Sequence, residues 1–162
     1  GKLSTMPECP RTAEVLASLR HALTSIERWG SRRATWERLS GGAASLTRTD
    51  VWLLERIGDC GPARMSALAR WQSVDRSTIT AQVNRLESNG LITRGPDPAD
   101  RRAVQVDLTA DGHAVMREHR SRLATTMEDL TAAWPAADVT EFGRLLSRFA
   151  RALDDDLADR AD

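Results

Sequence analysis

Residues 76–88 carry side chains suited to touching nucleic-acid bases. Ile79, Val83 and Leu86 recur at i, i+4 and i+7, the spacing of a buried helix face. At 100° per residue the opposite side carries Ser77, Ala81, Asn84 and Ser88, flanked by Thr78, Thr80 and Arg85, with Arg76 in the first turn. An ordinary solvated face would favour Glu and Lys. Small and hydroxylic residues let a helix lie close in a DNA major groove. There Asn can pair with adenine, Ser and Thr can meet either base type, and Thr or Ala methyls can touch thymine. Taken alone, the pattern is read equally well as a plain capped and solvated surface. A second group weighs against that. Asp100, Arg101 and Arg102 lie at the tip of a predicted hairpin that needs no arginine to turn. An Arg there can enter a narrow minor groove, where negative potential is enhanced, and Asp100 can pair with Arg102 to direct it. The alternative is a solvated charged turn.

These residues need a scaffold, and the pattern along the chain supplies one. Residues 1–9 read as a flexible N-terminus. Residues 10–38 read as a long helix with Leu16, Leu19, Leu23 and Ile26 as a narrow apolar seam. Gly30 is placed to bend it, leaving Ser31–Leu39 as a second piece. After a Ser40-Gly41-Gly42 loop, Thr47 or Thr49 caps a helix over 48–58. Its apolar residues Val51, Trp52, Leu53, Leu54 and Ile57 go nearly all round, as in a helix buried from several sides. Ala63–Met65 reads as a very short strand, and Ser66 as the cap of a short helix. A turn near 72–74 follows, and Asp75 caps helix 76–88, which stops at Asn89-Gly90. Strands at 91–94 and 103–108 flank the polar turn GPDPADRR, with Val104, Val106 and Leu108 sharing a face. Thr109 caps a helix over about 110–133 with the seam Met116, His119, Leu123, Met127, Leu130 and Trp134. Pro135 ends it. A last helix over 136–157 carries Val139, Phe142, Leu146, Phe149 and Leu153. Residues 154–162, with five Asp against one Arg, are expected to fray as an acidic tail.

The fold class is therefore mainly α. A winged helix-turn-helix domain at 46–109, with a two-stranded β-wing, is flanked by an N-terminal helical arm at 10–45 and C-terminal helices at 110–157, leaving 158–162 as tail. The seams expose more apolar surface than one small winged domain can cover, so the two flanks are expected to pair with a second copy.

LTRTDVWLLERI, SALARWQSVDRSTITAQVNRLESNGLITR and DPADRRAVQVDLTADG resemble the MarR (multiple antibiotic resistance regulator) family of winged-helix transcription factors. The family's wing motif, Asp-x-Arg followed by x-x-x-Val-x-Leu-Thr, is matched by Asp100, Arg102, Val106, Leu108 and Thr109. The resemblance is close over about 46–117. It implies an obligate homodimer with first and last helices interlaced, one reading helix per half of a pseudo-palindromic operator in double-stranded DNA, and a minor-groove role for Arg102. It also implies a small aromatic or anionic effector, bound between the dimerisation helices and the winged domain, that releases a repressor. Trp29, Trp36, Trp52 and Arg56 are the candidate walls of such a pocket, with plain core filling as the alternative.

Charge and composition fit this reading. Over 162 residues, 23 basic and 23 acidic side chains give a formal net charge of zero, so no uniform basic coat exists. Residues 63–102 nevertheless hold seven Arg against four acids, a local +3 that favours phosphate contact. No stretch approaches the roughly 20 apolar residues of a membrane span, and the opening residues lack a signal-peptide core. Two cysteines, Cys9 and Cys60, make neither a disulfide framework nor a metal pair; a reducing, cytoplasmic setting is expected. Arg supplies all basic residues but Lys2, as in GC-rich bacterial coding sequences. No Gly-x-Ser-x-Gly, His-Glu-x-x-His or P-loop is present. His21, His113 and His119 lack ligand spacing, so neither enzyme chemistry nor a cofactor or metal is expected. Two other readings stand beside the regulator: a winged-helix protein-interaction module, and a thiol-based redox sensor using Cys9 or Cys60.

Overall fold

The computed structural model describes residues 10–41, 46–100 and 102–159. Helices α1 (Pro10–Ser31) and α2 (Arg33–Ser40) form one compact unit. The single predicted helix breaks at Arg32, whose N–H reaches the Trp29 carbonyl at 3.3 Å while its own carbonyl starts α2 through Trp36 N–H. That is the second piece anticipated from Gly30.

The other unit, from Gly41 onward, contains α3 (Arg48–Cys60), β1 (Ala63–Arg64), α4 (Met65–Gln72), α5 (Arg76–Ser88), β2 (Ile92–Pro96), β3 (Val104–Leu108), α6 (Ala110–Thr131) and α7 (Ala136–Asp159). The sheet is antiparallel in the order β1-β3-β2. The short strand at Ala63 is real: Ala63 faces Val106 and Arg64 faces Gln105. Pro96, opposite Val104, is tolerated because β2 is an edge strand that needs no donor there. Leu53, Leu54, Ile57, Leu68, Ile79, Val83, Leu86 and Val106 are fully buried and make the core.

Several local expectations change. Trp52 is 53% exposed, so α3 buries one broad face and not its whole circumference. Ser66 caps nothing; α4 begins at Met65 after Arg64, whose backbone is extended and whose side chain makes no cap bond. Val104 shares the face of Val106 and Leu108 but is 46% exposed, because it lies toward the wing tip, beyond the core. The acidic run does not fray through 154–159: α7 reaches Asp159, carried by the apolar period that continues from Leu153 to Leu157. The turn between α4 and α5 is set by Ser73, in left-handed conformation at φ 55°. From there the N–H of Val74 bonds the Ala69 carbonyl at 3.0 Å.

One contact decides how α5 joins α6. Gly90, at φ 72°, reverses the chain after α5. The Leu91 carbonyl then accepts from Thr109 N–H at 3.0 Å, and the Thr109 hydroxyl donates to the Gly90 carbonyl at 2.6 Å. Thr109 also caps α6 by accepting from Gly112 N–H at 3.0 Å. Gly112 is there for space: a Cβ would stand 2.1 Å from the Leu91 oxygen. Gly112→Ala should therefore lower unfolding free energy by about 1–3 kcal/mol, although Ala ordinarily gains roughly 1 kcal/mol over Gly within a helix. Urea titration checks this; a variant as stable as the parent would mean that α6 is not seated against Leu91.

Candidate nucleic-acid interface

Helix α5 is held at its start by Asp75. Its carboxylate accepts from Thr78 N–H at 2.8 Å, from the Thr78 hydroxyl at 2.9 Å and from the Ser77 hydroxyl at 2.5 Å. These donors hold the Asp75 carboxyl well below the usual carboxylate range. Further along, the Thr80 hydroxyl donates to the Arg76 carbonyl at 2.6 Å, and Ser88 to the Asn84 carbonyl at 2.8 Å. The hydroxyl protons of this face are thus committed within the helix. What Ser77, Thr78 and Thr80 turn outward is oxygen lone pairs and methyl groups, beside the exposed Ala81.

Arg85 and Asn84 have partners that their positions in the helix did not suggest. The Arg85 guanidinium donates to Asp50 at 2.5 Å, and Asp50 has no solvent exposure. Asp50 also accepts from Thr47 N–H at 2.8 Å, while the Thr47 hydroxyl accepts from Asp50 N–H, closing a capping box on α3. Thr47, not Thr49, is therefore the cap. Asp50 was missed as a site residue; the Thr-x-x-Asp spacing was the available signal. The oxygen of Asn84 accepts from Arg94, which also pairs with Glu87 at 3.2 Å. One of the two lone pairs of the Asn84 oxygen is thus taken, and its amide N–H2 is left to offer. An open cleft between α3 and α5 is lined by Thr47, Thr49, Thr78, Ala81, Gln82 and Arg85.

The wing turn is organised by Asp97, which is only 3% exposed. It accepts from Arg64, from Ala99 N–H at 2.7 Å and from Asp100 N–H at 3.3 Å. Arg64 and the Ala99 N–H are the chief causes that hold its carboxyl at about 2. Asp100 accepts the backbone N–H of Arg102 at 3.1 Å. It fixes the main chain of that residue, where the sequence had suggested a bond to the guanidinium. Arg102 is exposed; Arg101 lies outside the described residues. Of the local excess of arginines, Arg64, Arg85 and Arg94 are paired with Asp97, Asp50 and Glu87. Arg70, Arg76 and Arg102 are exposed and have no ion pair among the described residues.

The candidate effector residues divide between the two units: Trp29 and Trp36 belong to α1 and α2, Trp52 and Arg56 to α3. Arg56 lies over the Trp71 ring, 5.9 Å from its centroid, and donates to the exposed Cys60 sulfur one turn on. The sequence reading missed Arg56 beside Cys60, although i, i+4 spacing shows it. Cys9 lies outside the described residues.

Arg85→Ala should cost about 1–3 kcal/mol of stability with no DNA present, because it strips a buried carboxylate of its charged partner. Ser77→Ala should cost less than Arg85→Ala. Chemical unfolding of the two variants checks this; equal stabilities would leave Arg85 as a surface residue and not a clasp.

Comparisons with known proteins agree with this geometry. The MarR family model matches residues 46–104, which spans the helix-turn-helix and most of the wing. The chain is 30% identical over 125 residues to a Bacillus subtilis protein described as the uncharacterized HTH-type transcriptional regulator YxaD, covering 76% of this chain and 87% of that one. It is 32% identical over 104 residues to the multiple antibiotic resistance protein MarR of Salmonella typhimurium, covering 64% of this chain and 72% of the relative. Among solved structures, the transcriptional regulator Tm0710 of Thermotoga maritima superposes with a TM-score of 0.64 at 25% identity, over 90% of this chain and 98% of the other. From the wing motif, the small-residue face of α5 and this likeness over most of a relative's length, the chain belongs to the MarR family of winged helix-turn-helix transcriptional regulators.

Proposed function

We propose that this chain is a homodimeric repressor that lays α5 in the major groove of each half of a pseudo-palindromic operator and places Arg102 in the adjoining minor groove. The observation that carries the proposal is the outward face of α5. Its hydroxyl protons are turned home, so it offers methyls and oxygen acceptors, with Asn84 N–H2 as donor and Arg76 at the edge. Such a face suits thymine methyls and the N–H2 groups of adenine and cytosine, with Asn84 donating to purine N7 or O6. Exposed Arg70, Arg76 and Arg102 supply the phosphate and minor-groove charge.

A second copy is supported by apolar faces that this chain leaves open. Leu16, Leu19, Leu23 and Ile26 of α1 are exposed, as are Phe142, Leu146, Phe149, Leu153 and Leu157 of α7. Pairing them across a two-fold axis removes that surface from water and sets two reading helices about 34–36 Å apart. Ligand control belongs to the same proposal. Trp52, half-exposed on α3, and Arg56 one turn on give an aromatic wall and a cation for a small aromatic or anionic effector. Such a ligand lowers DNA affinity by favouring a spacing of the two lobes that DNA does not accept.

Fluorescence titration of duplex DNA across a salt series tests the DNA face. Arg102→Ala should weaken binding and lower the salt slope by about 1. Asn84→Ala should instead relax base preference at one position of each half-site, by about 1 kcal/mol or more. Unchanged affinity, slope and preference in both variants would show that another surface meets DNA.

A further inference from the structure

We propose that Arg64 and Asp97 form a strut that fixes the distance between the reading helix and the wing, making them positioning residues that determine operator specificity. The proposal rests on the DNA reading above. Arg64 ends β1 and is the last residue before α4, and α4 leads through the tight Ser73 turn into α5. Asp97 is the first residue after β2 and N–H-bonds back to the Ala103 carbonyl at 3.0 Å, at the root of the wing loop. The pair therefore joins two segments 33 residues apart in sequence, one leading to the major-groove reader and one carrying the minor-groove arginine.

Two features make this more than a surface ion pair. First, Asp97 is buried, and its carboxylate accepts three donors from two separate segments: Arg64, Ala99 N–H and Asp100 N–H. It captures the start of the loop and Arg64 at the same carboxylate. Second, the backbone link between β1 and the wing is slight. β1 pairs with β3 over Ala63 and Arg64 alone, opposite Val106 and Gln105. The Arg64 side chain adds to that short pairing a direct bond from the approach to α4 to the root of the wing loop. A protein that reads two grooves at once is sensitive to the spacing between its readers, because a shift of one base pair moves the target by about 3.4 Å.

The test uses the full chain, its Arg64→Gln variant and its Asp97→Asn variant, each at a temperature where circular dichroism shows it folded. The preferred site of the parent is selected from a randomised duplex library. The A/T-rich flank of that site is then moved one base pair toward or away from the half-site centre. The parent should lose about tenfold in affinity on either shift, the scale of a mismatched base pair. Arg64→Gln should bind the original site several-fold more weakly yet tolerate both shifts, with the three sites within about threefold of one another. Asp97→Asn should show the same flattening. Arg64→Gln with the parental dependence on flank position would overturn the strut. It would do so whether Asp97→Asn flattens the profile, which would leave Asp97 as a cap of its own loop, or Arg64→Gln only lowers the salt slope, which would make Arg64 a phosphate contact. A parent that enriches no sequence would sink the DNA reading, and the strut with it.

Discussion

Three elements meet at the carbonyl of Leu91, and the seating of α5, β2 and α6 against one another follows from that meeting. Helix α5 has just ended, β2 is about to begin, and α6 starts against the same atom. Thr109 supplies one N–H to that oxygen and its hydroxyl to the carbonyl before it. Gly112 lets the helix backbone approach to a distance that no side chain would permit. Buried backbone oxygens need donors, so the joint is directional as well as tight. The end of α5 and the start of α6 are thereby held to one another through two hydrogen bonds and a close backbone approach.

The polar residues of the winged domain are mostly spent on positioning. Asp75 consumes the protons of Ser77 and Thr78, Asp50 holds Arg85, and Asp97 holds Arg64. Asp50 and Asp97 are withdrawn from solvent, and a buried carboxylate is tolerated only when its lone pairs are satisfied. Each therefore demands a particular geometry from the element it bonds. The consequence for recognition is an economy of free groups. The outward surface keeps small residues, acceptor oxygens and exposed arginines, while the paired arginines act as rivets. A net charge of zero over the whole chain is compatible with phosphate contact, because a local excess of cations can act where the whole-chain sum is neutral.

What the sequence made legible is local. Asp75 before an apolar-periodic run, Thr109 before another and Gly90 after α5 all lie where caps and stops must, and the bounds of α5 agree residue for residue. The fully buried Ile79, Val83 and Leu86 follow from helical period alone. The partners of Arg85 and Arg64 do not, since Asp50 and Asp97 are 35 and 33 residues away in the chain. No periodicity reports a contact of that range. Asp97 was counted as one acid in a polar turn, though it is the residue that shapes the turn. The exposure of Trp52 went unseen for a similar reason: an apolar side chain reads as core unless the layer that would cover it is known. The acidic end of α7 shows the reverse case, where composition suggested fraying and the apolar spacing to Leu157 prevailed.

The proposed function requires α5 to enter the major groove while the wing of the same unit enters the minor groove. Chemical interference on a selected operator measures this most directly. Duplexes are methylated at guanine N7, which lines the major groove, or at adenine N3, which lines the minor groove, and the bound fraction is separated and mapped. Two patches of N7 interference are expected about one helical turn apart, each flanked on its outer side by N3 interference that disappears with Arg102→Ala. Interference confined to the major groove, or N3 interference that persists without Arg102, would contradict it.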